Sequence, residues 1–144
     1  MIRKKIIIGS RNSKLALIYA NKAKAEIDYI KNDYGVEDIT IKEITTAGDL
    51  NQKIRLSELG GKGLFSKKIE NELLNKKIDL AVHALKDMPS EETEGLLTNC
   101  FLERNDPREV LISANNQNIE DLEPKSIIGT SSFRREFQLK RKRN

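Results

Sequence analysis

Cysteine and histidine are almost missing: the 144 residues hold one of each. A lone Cys100 excludes an internal disulfide and suits a reducing compartment. One thiol with one imidazole does not make a dedicated zinc site, and no metal is expected. Long apolar runs are absent too. No stretch approaches the roughly 20 apolar residues of a membrane span. The run Ile6-Ile7-Ile8 after Arg3-Lys4-Lys5 is too short for the core of a signal peptide. These absences point to a cytoplasmic protein with no membrane partner. Aromatic residues are scarce, at 5%, and none is interleaved with the basic run Lys140-Arg141-Lys142-Arg143. That run lacks the stacking platform of a single-strand binder and reads as the exposed end of a helix, where cations complement the dipole. No nucleic-acid partner is expected. A one-sided charge is lacking as well, with 26 basic residues against 22 acidic ones. The excess sits in Arg134, Arg135, Lys140, Arg141, Lys142 and Arg143, and the rest of the chain is net acidic.

What is present suits a soluble globular protein: 38% hydrophobic and 33% charged residues. Ile6-Ile7-Ile8 reads as a short buried strand ended by Gly9-Ser10. Ala16, Ala20, Ala23, Ile27 and Ile30 then recur on one helical face, with Ser13 as its cap and Asn32-Asp33-Tyr34-Gly35 as its stop. Residues 39–44 are β-branched and read as a second strand. Residues 45–57 read as a polar, mobile loop. Gly60-Gly61-Lys62-Gly63 is expected to open a helix that places Phe65, Ile69 and Leu73 on one face. Residues 78–85 read as a third strand. Val110-Leu111-Ile112 reads as a short strand, residues 113–125 as a loop with a weak helical turn, and Ile127-Ile128 as a strand running into a helix that begins at Phe133. The alternation of strand and helix gives the fold class α/β with a mainly parallel sheet.

Residues 79–89 carry the most information. An apolar segment runs into Lys86-Asp87 and is stopped by Pro89. A carboxylate beside an ammonium at the end of a buried strand is where open α/β sheets place their chemistry; the plainer reading is a surface ion pair of about 0–1 kcal/mol. His83 reads as a hydrogen-bonded core histidine and Cys100 as a quiet, half-buried thiol. A second pattern occurs twice. Ile8-Gly9-Ser10-Arg11-Asn12-Ser13 and Ile128-Gly129-Thr130-Ser131-Ser132-Phe133-Arg134 both run strand, glycine, hydroxyls, arginine, helix. Helix starts attract anions, and added hydroxyls and guanidinium groups make a carboxylate or phosphate clamp. Gly60-Gly61-Lys62-Gly63 is a third start of this kind. A glycine before a helix is ordinary punctuation, but three of them beside cations favour anion binding. Neither the nucleotide-hydrolase phosphate loop nor the dinucleotide spacing is matched.

These segments, with Leu59-Gly60-Gly61-Lys62-Gly63-Leu64-Phe65 and Glu103-Arg104-Asn105-Asp106-Pro107-Arg108, resemble the porphobilinogen deaminase (hydroxymethylbilane synthase) family. Five blocks in order along the chain carry the likeness. The resemblance implies a transferase of haem and tetrapyrrole biosynthesis that joins four porphobilinogen molecules head to tail with release of ammonia. It implies a dipyrromethane cofactor fixed to a cysteine of a third domain, so Cys100 is not that residue and no attachment cysteine is expected here. It also implies domains like those of solute-binding proteins (periplasmic binding protein type II-like), acting as a monomer. Residues 1–102 would be the first domain without its return segment, and 103–144 the opening of a second, similar domain. Asp87 matches the catalytic aspartate. Arg11, Ser13, Lys62, Lys86, Thr130, Ser131, Ser132, Arg134 and Arg135 match positions used on substrate and cofactor carboxylates. Ala84 stands where the family often has serine, which removes one hydroxyl contact. Less than half of a family member is covered, so the chain alone is expected to be inactive and to hold no dipyrromethane. The alternative is a small-anion solute-binding module without catalysis.

Overall fold

A computed structural model describes residues 5–50 and 63–142. The chain separates into two compact units, Met1–Leu102 and Glu103–Asn144. In the first, β1 (Lys5–Arg11) is followed by α1 (Lys14–Ile30), β2 (Asp38–Ile44), a single-turn α2 (Ala47–Leu50), α3 (Lys67–Leu74) and β3 (Leu80–Ala81). The sheet has the order β2-β1-β3. Both pairings are parallel: Lys5 faces Asp38 and Arg11 faces Ile44 on one side, and Ile8 faces Leu80 on the other.

β1 is central, and both its faces are covered. That is why three isoleucines can follow one another rather than alternate with polar residues. Ile8 joins Val36 and Ile39 in one core, against which Ile6 and Ile27 of α1 pack. Ile7 points the other way, toward Ile44, Ile69 and Ile78, with Leu73 of α3 alongside. α1 starts where expected: the Ser13 hydroxyl accepts from the Ala16 amide at 3.3 Å. It stops through a short 3-10 turn, Lys31–Tyr34, and Gly35 at φ 65°, a left-handed value that suits a residue without Cβ. Ile30, assigned to the apolar stripe, is 42% exposed at the last residue of α1.

The third strand is much shorter than the expected 78–85. Ladder bonds run from the Asp79 amide to Ile7 O and from the Val82 amide to Gly9 O. The Asp79 carboxylate adds an acceptor for the Ile7 amide at 2.8 Å, doing with a side chain what a longer strand would do with its backbone. Beyond Val82 the chain leaves the sheet and coils into a 3-10 turn, Leu85–Asp87. The loop expected over 45–57 contains α2 in its first part; residues 51–57 lie outside the described residues. The expected glycine-led helix start also differs. Gly60, Gly61 and Lys62 lie outside the described residues, α3 begins only at Lys67, and Phe65 precedes it.

The second unit contains a 3-10 turn, Ile119–Asp121, and α4 (Phe133–Lys142), whose last turn carries Lys140, Arg141 and Lys142. The strands expected at 110–112 and 127–128 do not form. Val110 is 83% exposed and Ile127 99%, and no described strand of this unit offers them a ladder; a lone extended segment gains no pairing or burial over solvated coil. Among the described residues no helix is long and apolar enough to cross a membrane, and no cluster of His, Cys, Asp or Glu could hold a metal ion. Cys100 is exposed, not half-buried, because its segment runs without secondary structure over residues 96–113.

Candidate functional site

Parallel strands bring all their C-terminal ends to one edge of the sheet, and the first unit brings Arg11, Asp49 and Asp87 together there. Arg11 is the last residue of β1. The register that pairs Arg11 with Ile44 sets the segment after β2 beside it. From that segment Asp49 takes the guanidinium by one edge: Arg11 Nη2 to Oδ1 at 2.5 Å and Nε to Oδ1 at 3.2 Å. Asp49 is itself held, its Oδ2 accepting from the Thr46 amide at 3.1 Å and the Thr46 hydroxyl at 2.7 Å. Phe65 lies flat against the same guanidinium, 3.9 Å from Cζ to the ring centroid, a favourable cation–π arrangement. The other nitrogen, Arg11 Nη1, approaches Asp87 Oδ2 at 3.7 Å. One arginine thus serves two carboxylates, one tightly and one loosely.

Burial alone would push the Asp49 carboxyl up. The hydrogen bonds from Arg11 and from the Thr46 hydroxyl and amide, together with the arginine charge, outweigh it and hold the group below its ordinary value. Gly48 makes the stacking possible: a Cβ there would stand 2.2 Å from the Phe65 ring, and its amide donates to Leu64 O at 3.0 Å.

His83 departs from its expected role. Its Nε2 is buried without a hydrogen-bond partner among the described residues. Burial drives the imidazole below its ordinary value; Asp87 and Glu70 oppose this and Arg11 reinforces it. A histidine held neutral by folding contributes stability that is fully present above its unfolded value, about 6.5, and is lost as pH falls through the lower folded value. Urea midpoints should therefore drop from pH 7.5 to 5.5, and His83→Gln should flatten part of that drop. Identical slopes in the two proteins would refute the assignment.

The profile described as "Porphobilinogen deaminase, dipyromethane cofactor binding domain" matches residues 6–144. The chain belongs to the porphobilinogen deaminase family. It is 47% identical over 136 residues to porphobilinogen deaminase of Bacillus mycoides (strain KBAB4), covering 94% of this chain and 43% of that protein. The counterpart in Bacillus cereus (strain B4264) gives the same figures. That of Bacillus subtilis (strain 168) is 46% identical over 134 residues, 93% of this chain and 42% of the relative. The chain thus spans about 43% of the length of these relatives.

For a member of this family, the residues singled out in the sequence fall into three groups. Arg11 and Asp87 come together, and Ser13 sits two residues past Arg11 as the cap of α1. Lys86 is exposed and forms no ion pair with a described residue. Lys62 lies outside the described residues. In the second unit, Arg134 and Arg135 converge on Glu109, with Arg135 Nε at 2.6 Å from Oε2. Hydrogen bonding from Arg134, with the charges of both arginines, holds the Glu109 carboxyl below its ordinary value. Thr130 and Ser132 act locally: the Thr130 hydroxyl accepts from the Ser132 amide at 3.1 Å and the Ser132 hydroxyl from the Arg135 amide at 3.4 Å. Ser131 is exposed. Sequence reasoning missed Thr46, Gly48, Asp49 and Glu109, and gave Phe65 a core role. The signal for Asp49 was available only through the register, since strands ending at 11 and 44 must bring the next turn beside Arg11.

Proposed function

We infer that this chain is the N-terminal part of a hydroxymethylbilane synthase, which condenses four porphobilinogen molecules and releases ammonia. The observation that carries this is Arg11 Nη1 set 3.7 Å from Asp87 Oδ2 at the C-terminal ends of a parallel sheet, in a chain matched to the family along residues 6–144. The first unit is read as one domain of the two-domain solute-binding type, and residues from 103 onward as the opening of the second. The protein is read as a cytoplasmic monomer.

Porphobilinogen bears an acetate and a propionate, so a growing chain is a string of carboxylates. Arg11, Ser13, Lys62, Lys86, Thr130, Ser131, Ser132, Arg134 and Arg135 are assigned to them. Guanidinium groups suit the task because a planar fork matches a carboxylate. Arg134 and Arg135 already grip one in Glu109. Within the first unit, Arg11 and Lys86 fit a dipyrromethane as cations for its acidic arms, and the Asp87 carboxylate as an acceptor for a pyrrole N–H. When bound, that group supplies the pyrrole carbon to which new rings are joined. Asp87 is the catalytic residue. A fixed carboxylate beside pyrrole N–H groups stabilises the positive charge that develops as rings are coupled, and can take up a proton from one. Arg11 orients the carboxylates of the ligand beside Asp87. Cys100 takes no part.

The test is an intact enzyme carrying this segment at its N-terminus, given porphobilinogen. Expected are loss of substrate, release of one ammonia per ring joined, and a linear tetrapyrrole by mass. Tight binding with no turnover would transfer the assignment to a small-anion binding module.

A further inference from the structure

We propose that Asp49 is a positioning residue: by gripping the Nε–Nη2 edge of Arg11 it leaves the Nη1 edge as the one that meets both an incoming carboxylate and Asp87. This rests on the hydroxymethylbilane synthase reading above.

Three contacts fix the guanidinium from three sides. Asp49 holds one edge with Nη2 at 2.5 Å, Phe65 covers a face at 3.9 Å, and Asp87 stands off the far nitrogen at 3.7 Å. The asymmetry has a physical cause. The Asp49 side chain is only 9% exposed and is tied to the Thr46 amide and hydroxyl, so it cannot follow the arginine elsewhere. The Asp87 side chain is 23% exposed and has no hydrogen-bonding contact to the guanidinium at its distance. Arginine pairs best with a carboxylate through two parallel N–H groups. Without the Asp49 anion, Arg11 would turn that fork onto the nearest remaining carboxylate, Asp87. Asp87 would then be engaged along both oxygens and withdrawn from the pyrroles, and the Nη1 edge would be withdrawn from ligand. Asp49 therefore keeps two oppositely charged working groups apart without touching substrate. Gly48 belongs to the same device, because any larger residue drives Phe65 off the guanidinium face.

The intact enzyme that carries this segment is the material for the test, in four forms: parent, Asp49→Asn, Arg11→Lys and the double variant. Asparagine keeps the shape and one acceptor but removes the charge. Asp49→Asn is expected to lower kcat/KM by about 30- to 100-fold, mostly in kcat, with a fall in melting temperature as well, since the new amide must face a donor of Arg11 or Thr46. In the Arg11→Lys background, where there is no fork to aim, the same change is expected to cost less than threefold, since residues acting through a shared partner are not additive. An equal loss in both backgrounds would show a merely structural role and overturn the proposal. So would a crystal structure of Asp49→Asn with the guanidinium still over Phe65 and Asp87 still at its present distance; that result needs no activity. A parent enzyme that never consumes porphobilinogen would overturn the functional reading itself, while a working parent with an indifferent Asp49→Asn would overturn this inference alone.

Discussion

Asp87→Asn in the intact enzyme is expected to reduce kcat by roughly 100- to 1,000-fold, the usual cost of deleting an electrostatic contact made in the transition state. The substitution swaps one oxygen for an amide of nearly the same size. Asp87 is partly exposed, and its backbone amide keeps the bond to Ala84 O at 2.9 Å. Folding should be little affected, and the thermal midpoint should move by no more than a degree or two. On the proposed function the loss falls on kcat, because the substitution removes the charge and little else. An amide near Arg11 also turns an attractive neighbour into an indifferent one. Saturating porphobilinogen and initial-rate measurements separate kcat from binding. Retention of more than half the parental kcat would remove Asp87 from the mechanism.

The largest effect on stability is expected at Ile8. It is fully buried in the central strand, packed with Val36 and Ile39 and flanked by β2 on one side and Leu80 on the other. Ile8→Ala removes three carbons from a site whose walls belong to three elements and cannot collapse together. The expected cost is about 3–4 kcal/mol, a large share of the 5–15 kcal/mol that holds an ordinary domain folded. Ile127→Ala is the control. At 99% exposure its side chain has little packing to lose, and its effect should lie within about 0.5 kcal/mol. Urea denaturation of both variants measures the contrast. Equal effects would mean that β1 is not the centre of the core.

The legible parts of the fold were those specified locally. The isoleucine triplet read as a short buried strand, and Ser13 with the alanine-rich stripe marked the start of α1. The illegible parts depend on partners distant in sequence. Val110, Ile112 and Ile127 have strand-like chemistry, yet β-propensity records packing against neighbours, and among the described residues these three stand almost fully exposed. β3 was drawn too long for a related reason: residues 82–85 are as apolar as 78–81, and only the ladder to β1 decides where pairing stops. Phe65 looked like a core residue from its spacing to Ile69, but a turn ahead of α3 sends the ring to a guanidinium instead. In the site, Arg11 and Asp87 could be read because both follow strands of one parallel sheet. Asp49 could not, since a lone aspartate after Thr46-Ala47-Gly48 looks like any turn residue until the register brings it to Arg11. His83 read as a hydrogen-bonded core histidine within the strand, but it lies past the end of β3 and its Nε2 has no partner among the described residues, which no local pattern encodes.

The place where β3 lets go of its neighbour determines how far the acid at 87 can wander. The last anchor is the Val82 amide on Gly9 O, and five peptide links of slack from there would reach on the order of 17 Å if drawn straight. The coil over Leu85–Asp87, closed by the Asp87 amide on Ala84 O, winds most of that leash in. A carboxylate tethered so short has only small swings open to it, so any group that pairs with it must be brought to it.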